Sequence, residues 1–122
     1  DLAIRAELAG PGVRGNSLDL KEHELFVYGV IDLNRGVNLD DEEMESVINE
    51  LGLTPCPIIT TVTLGPDVTV DTLLDLATGP SKINPKKRRE GVVARPGKEM
   101  SDSQIGRLSF KIISNKVLAE AK

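Results

Sequence analysis

The sequence predicts an α+β domain with mainly antiparallel sheets and a few short helices. Three observations predict it. Strand-like segments outnumber helical ones and do not alternate regularly with them, which argues against a doubly wound parallel sheet. The apolar runs are short and bounded by Gly, Pro and Asn. The 122 residues, 39% hydrophobic and 28% charged, suit one globular domain with a core of its own.

Leu2 to Leu8 alternates apolar and polar residues and reads as a strand ended by Gly10-Pro11-Gly12. Glu24 to Leu33 is rich in β-branched and aromatic residues and reads as a second strand, followed by a turn at Asn34-Arg35-Gly36. Asp40 to Leu51 is the clearest helix. Met44, Val47, Ile48 and Leu51 fall on one stripe, Asp40 and Glu43 fit a capping box, and Gly52 stands where a terminal glycine ends the helix. Ile58 to Leu64 reads as a strand and Gly65-Pro66-Asp67 as a turn. Thr69 to Ala77 reads as a short helix with Val70, Leu73, Leu74 and Ala77 on one face. A basic loop spans 80–90. Gly91 to Arg95 and Arg107 to Ile113 read as strands around a polar loop, Pro96 to Gly106, and Asn115 to Lys122 as a short final helix.

Composition removes several classes of function. No apolar run approaches the ~18 residues of a membrane span, and no signal peptide opens the chain, so no membrane partner is expected. Cys56 is alone, which excludes an intramolecular disulfide and a cysteine zinc cage and fits a reducing, cytoplasmic compartment. His23 is the sole histidine, which excludes multi-histidine metal sites. The net charge of −4 is unevenly spread. Residues 1–61 carry 4 basic against 12 acidic side chains, and residues 62–122 carry 11 against 7. A polyanion is therefore expected to meet the second half.

Three motifs fall away on inspection. Gly10-Pro-Gly-Val-Arg-Gly15 matches a dinucleotide fingerprint, but no helix follows it and Pro11 removes an N–H donor. Asp32, Asn34, Gly36, Asn38, Asp40 and Glu43 fall at calcium-loop offsets, but Val37 stands where such a loop requires glycine and a strand precedes it. Ser17, His23 and Asp19 have no nucleophile elbow to support a hydrolase triad.

Four residues make sense together. Glu7 ends the first strand beside a glycine-rich turn, Tyr28 lies within the second, Glu90 precedes Gly-Val-Val, and Lys111 lies in Ser-Phe-Lys-Ile-Ile. As a set they offer an aromatic for a base, carboxylates for ribose and metal, and a lysine for phosphate.

Their order resembles the ATP-dependent RNA ligases of the RNA-ligase-2-like kind, within the covalent nucleotidyltransferases. Glu7-Leu-Ala-Gly-Pro-Gly-Val-Arg-Gly-Asn16 resembles motif III, and Leu25-Phe-Val-Tyr-Gly-Val-Ile-Asp32 motif IIIa. Arg89-Glu-Gly-Val-Val-Ala-Arg95 resembles motif IV, and Arg107-Leu-Ser-Phe-Lys-Ile-Ile-Ser-Asn-Lys116 motif V. The likeness runs from about residue 2 to about residue 118 and is weakest over 37–80. It implies an ATP-grasp-like ligase fold and a three-step reaction. A motif I lysine takes AMP from ATP, AMP passes to a 5′-phosphate RNA end, and a 3′-hydroxyl displaces it to seal the strand.

By this resemblance Glu7 holds the ribose hydroxyls, Tyr28 stacks on adenine, Glu90 holds Mg²⁺ or Mn²⁺, and Lys111 meets the α-phosphate. Lys116 is a weaker phosphate or RNA contact. ATP, leaving AMP, is the implied cofactor, and Lys86, Lys87, Arg88 and Arg89 are expected to steer RNA.

The chain departs from the family pattern in three places. Gly29 stands where motif IIIa usually has Asp, and Ile113 stands at the second lysine of motif V. The nucleophile motif, Lys-x-Asp/His-Gly, belongs N-terminal to motif III, yet the six residues before Glu7 hold no lysine and the chain opens on Asp1 rather than Met. The resemblance therefore implies residues 1–122 as a partial adenylyltransferase domain, motifs III to V, partnered by the rest of its own domain before Asp1. Two other readings stand beside it: a non-catalytic module that binds nucleotide or RNA, and an interaction domain with a decayed site. Incubated with labelled ATP and a divalent cation, the 122-residue chain is expected to retain no covalent AMP after denaturation.

Overall fold

The first two strands pair because each carries an unbroken β-prone run facing the other across a glycine-rich connection. β1 (Leu2–Ala9) and β2 (Glu24–Asp32) form an antiparallel ladder. The computed structural model describes residues 1–120. These pack as two compact units, one of residues 1–56 with 95–108, the other of 57–94 with the described residues from 109 onward.

In the first unit the far edge of β2 is shared. β3 (Val37–Asn38) pairs antiparallel with Ile31–Asp32, while β4 (Thr54–Pro55) pairs parallel with Phe26–Val27. The β2–β3 turn is tied by Asp32, whose carboxylate accepts from the N–H groups of Asn34 (2.9 Å) and Arg35 (3.1 Å) and from Arg35 Nε (2.7 Å). The Arg35 side-chain bond, first among its causes, holds the Asp32 carboxyl below its ordinary value. α1 (Asp41–Leu51) starts as expected, with Glu43 accepting from the Asp40 N–H at 3.3 Å. It ends at Gly52 in left-handed backbone (φ 67°), a conformation open to glycine at little cost. Its inner face meets the sheet in a core of Val27, Val30, Leu39, Met44 and Ile48. A small hairpin, β6 (Ser101–Asp102) and β7 (Gly106–Arg107), completes the unit.

The second unit pairs β5 (Gly91–Ala94) with β8 (Phe110–Ile113), antiparallel, beside α2 (Val70–Ala77), and ends in α3 (Asn115–Glu120). Its apolar centre is slight: Ala77 is buried, with the polar Ser81 and Ser114, and their hydroxyls are used. Ser81 Oγ accepts from the Ile83 N–H at 3.1 Å, and Ser114 Oγ lies 3.2 Å from Thr78 Oγ1.

Four expectations are corrected. Ile58 to Leu64 forms no strand: no described segment pairs with it, and β propensity is realised only against a neighbour. Arg107 to Ile113 is not one strand. Its two ends have different partners, β6 and β5, and residues 108–109 lie between them. The polar loop 96–106 contains the β6–β7 hairpin, closed by Asp102 accepting from the Gln104 and Ile105 N–H groups. Val70, at the first turn of α2, is exposed rather than on a buried face. Ala121 and Lys122, within the expected final helix, lie outside the described residues. No helix among the described residues is long and apolar enough to cross a membrane.

Gly91 is where the second sheet is tightest. A Cβ there would stand 2.0 Å from the Ile112 carbonyl oxygen. Gly91→Ala must push β5 off β8, and is expected to lower the stability of the chain by ~2 kcal/mol or more in a denaturant titration.

Candidate functional site

The site residues divide between the two units. Glu7 and Tyr28 lie in the first, and Glu90, Lys111, Lys116 and the basic loop in the second.

The face that carries Glu7 is set by an irregularity in the β1–β2 ladder. Arg5 pairs with Gly29 but Ala6 pairs with Val27, so Tyr28 is an extra residue, a β-bulge with no cross-strand partner. Val27 and Val30, three apart, both enter the core with Ala6 against them. On β1 the residues flanking Ala6, Arg5 and Glu7, point to the other side. Tyr28 joins them there, 44% exposed, with the Arg5 guanidinium carbon 5.6 Å from its ring centroid. Its carbonyl oxygen, out of register with the ladder, accepts from Arg95 Nη1 at 2.8 Å, and Arg95 Nη2 donates to Asp41 Oδ1 at 3.1 Å.

The Glu7 carboxylate is exposed and faces Arg14 at 3.5 Å. Arg14 sits in a loop with left-handed backbone at Arg14, Gly15, Asn16 and Asp19. That loop is braced by Asn16, whose side chain accepts from the Leu20 N–H (3.0 Å) and donates to the Leu20 carbonyl (2.9 Å). Cys56 follows β4, and its N–H donates to the Val27 carbonyl at 2.8 Å. Burial pushes its thiol up, the Glu7 charge adds to this, and Arg95 opposes it. Gly29, where the family resemblance expects Asp, is buried. A Cβ there would stand 2.7 Å from Arg5 Nη2, so the arginine occupies that space.

In the second unit Glu90 precedes β5. Its side chain is exposed, and its carbonyl accepts from the Ser114 N–H at 2.8 Å. Lys111 lies opposite Val93 on β8, and Val93 is 61% exposed, so this face opens outward. Ile113, two residues on, shares the face of Lys111 and is half-buried against Gly91. Lys116 is exposed on α3. Of the basic loop, Lys86 and Lys87 are exposed, and Arg88 pairs with Glu120. Arg89 is spent on the fold. Its guanidinium donates to the carbonyls of Leu76, Thr78 (3.0 Å) and Pro80 (2.9 Å), closing the end of α2.

Among the described residues no group of three or more His, Cys, Asp or Glu is placed to hold a metal ion. A metal at Glu90 needs ligands besides those the described residues gather there. That suits Mg²⁺ or Mn²⁺, which accept one or two carboxylates and fill their shells with water and phosphate oxygens.

The motif residues were legible in the sequence, but the residues that hold Tyr28 were not. Arg5 carried a signal, since it alternates with Glu7 along the strand. Arg95, at the end of the motif IV segment, carried none for a contact 67 residues away.

The class of protein follows from comparison with known families and folds. A family model for RNA ligase matches residues 1–113, and the chain belongs to the RNA ligase family. Solved structures of the Naegleria gruberi RNA ligase are similar to it. A lysine-to-alanine variant with ATP and Mn aligns at 28% identity and TM-score 0.84. A lysine-to-methionine variant with AMP and Mn gives 28% and 0.83, and the ligase with PPi gives 28% and 0.79. Each alignment covers 98% of this chain and 34% of that one, so the chain spans about a third of the length of these relatives. Among curated protein sequences nothing matches.

The first unit also predicts its own acid sensitivity. Glu99 accepts from Arg107 Nε (2.8 Å) and Nη2 (2.7 Å), and this side-chain pair, the largest cause, lowers the Glu99 carboxyl below its ordinary value. A lowered carboxyl stabilises the fold above the unfolded-state pKa and loses that contribution as pH falls through the folded one. Urea midpoints measured from pH 7 down to pH 3 are expected to fall below about pH 4.5, and Glu99→Gln to flatten that part of the fall.

Proposed function

We propose that this chain is the part of an ATP-dependent RNA ligase that supplies nucleotide, metal and phosphate contacts. On this reading it joins 5′-phosphate to 3′-hydroxyl RNA ends through lysyl-AMP and RNA-adenylate, with the nucleophile lysine on a segment preceding Asp1. The observation that carries the reading is the shared face of Glu7 and the bulged Tyr28 within a chain of the RNA ligase family. The relatives with ATP, AMP and Mn support the nucleotide and the divalent metal.

Each residue then has a task set by its chemistry. Tyr28 offers an exposed ring face to adenine. Glu7 accepts hydrogen bonds from the ribose hydroxyls and exchanges its distant Arg14 contact for them. Lys111, on an outward-facing strand surface, neutralises charge that builds on the α-phosphate in transfer. Glu90 holds the metal, whose part when bound is to draw charge from the phosphate oxygens. Lys86 and Lys87 steer the RNA backbone, with Lys116 as a further phosphate contact.

Glu7→Ala, Glu90→Ala and Lys111→Ala in the full-length protein are each expected to reduce sealing of nicked or single-stranded RNA by ~100-fold or more. Near-normal sealing by all three overturns the assignment. Salt-sensitive RNA binding by a full-length protein that never labels with ATP supports a non-catalytic RNA-binding module instead.

A further inference from the structure

Tyr28 is the extra residue of the bulge, so no cross-strand neighbour restrains its ring. Arg5 takes that place. Its guanidinium carbon lies 5.6 Å from the ring centroid, within the range of a cation–π contact. Nη2 donates to Asn38 Oδ1 at 2.6 Å, which anchors the group to β3. Nε is buried with no hydrogen-bond partner, a costly state for a charged donor. Gly29 provides the room, since a Cβ there would stand 2.7 Å from Nη2 and 2.9 Å from Nε. A guanidinium that leaves one donor unpaired, lodged over a glycine and tied to a neighbouring strand, is held in one place against one face of the ring.

We propose that Arg5 is a positioning residue for Tyr28, holding one face of the ring so that the other face meets a purine base in a fixed orientation. This deepens the reading of Tyr28 as the base-stacking residue and rests on it. Arg5 touches neither phosphate nor metal in this scheme, so its effect falls on nucleotide affinity and leaves the transfer step alone.

Tyr28 is the sole tyrosine, and the chain has no tryptophan. Tyrosine emission therefore reports on this ring alone. AMP is expected to quench that emission saturably in the unaltered chain. Arg5→Met keeps the aliphatic length and removes the charge. It is expected to shorten the emission-anisotropy decay of the free chain and to weaken AMP binding about two- to ten-fold. Arg5→Lys restores part of both. Gly29→Ala, whose Cβ displaces the guanidinium, reproduces the Arg5→Met result, and the double variant is no weaker than Arg5→Met alone.

Unchanged anisotropy and AMP affinity in both Arg5→Met and Gly29→Ala overturn the proposal while leaving the nucleotide site intact. A chain that binds AMP with no change in tyrosine emission overturns the stacking role of Tyr28 and that of Arg5 with it. Absence of AMP binding both to this chain and to the full-length protein overturns the nucleotide reading itself.

Discussion

The one-residue slip between β1 and β2 is the constraint on which the first unit depends. Along a regular strand residues 27 and 30 face opposite sides. The bulge at Tyr28 restores both valines to the core, where they meet Met44 and Ile48 of α1. The same slip leaves Gly29 opposite Arg5 and puts Tyr28 on the face of Glu7. Core and site are therefore two consequences of one register shift. The bulge also frees the Tyr28 carbonyl from the ladder, and Arg95 takes it up, so an acceptor that the irregularity would orphan is satisfied by a charged donor.

A small, aromatic-poor chain has to hold itself together by other means. It contains three aromatic residues, and the second unit has little apolar centre. Arginines bonded to carbonyls take over part of the work. Arg89 closes the end of α2, and Arg95 bridges the bulge and α1. Glycines supply close approach at the same places. Gly91 lets β5 meet β8 beside Glu90, and Gly29 lets Arg5 lie over the sheet beside Tyr28. The motif glycine after Glu90 is thus explained by the space between two strands, independently of any ligand.

The family membership and the local geometry bear on different questions. The match over residues 1–113 and the likeness to Naegleria gruberi RNA ligase establish what kind of protein this is. They cover about a third of that relative, so the chemistry of a complete ligase extends beyond what these residues contain. Local geometry explains why particular positions hold the residues they do. It accounts for Gly29 in place of an expected Asp, and for Ile113, half-buried against Gly91, where a second lysine is usual.

Features that depend on near neighbours along the chain were legible in the residues alone. β1, β2, α1 with its Asp40–Glu43 cap, and α2 follow from apolar period, capping and turn residues within about a dozen positions. The order of Glu7, Tyr28, Glu90 and Lys111 was legible for the same reason, as short motifs carry their own spacing. Features that depend on a partner far away in the chain emerge in the folded state. Ile58 to Leu64 has the composition of a strand and, among the described residues, no strand to pair with. Arg107 and Phe110 lie three residues apart in different sheets. Arg89 reads as one more cation in a basic loop, but the carbonyls at the end of α2 claim it. The bulge is the sharpest instance: nothing local in Leu-Phe-Val-Tyr-Gly-Val marks the slip. It arises because two valines must reach one core while an arginine from the next strand needs the space above a glycine.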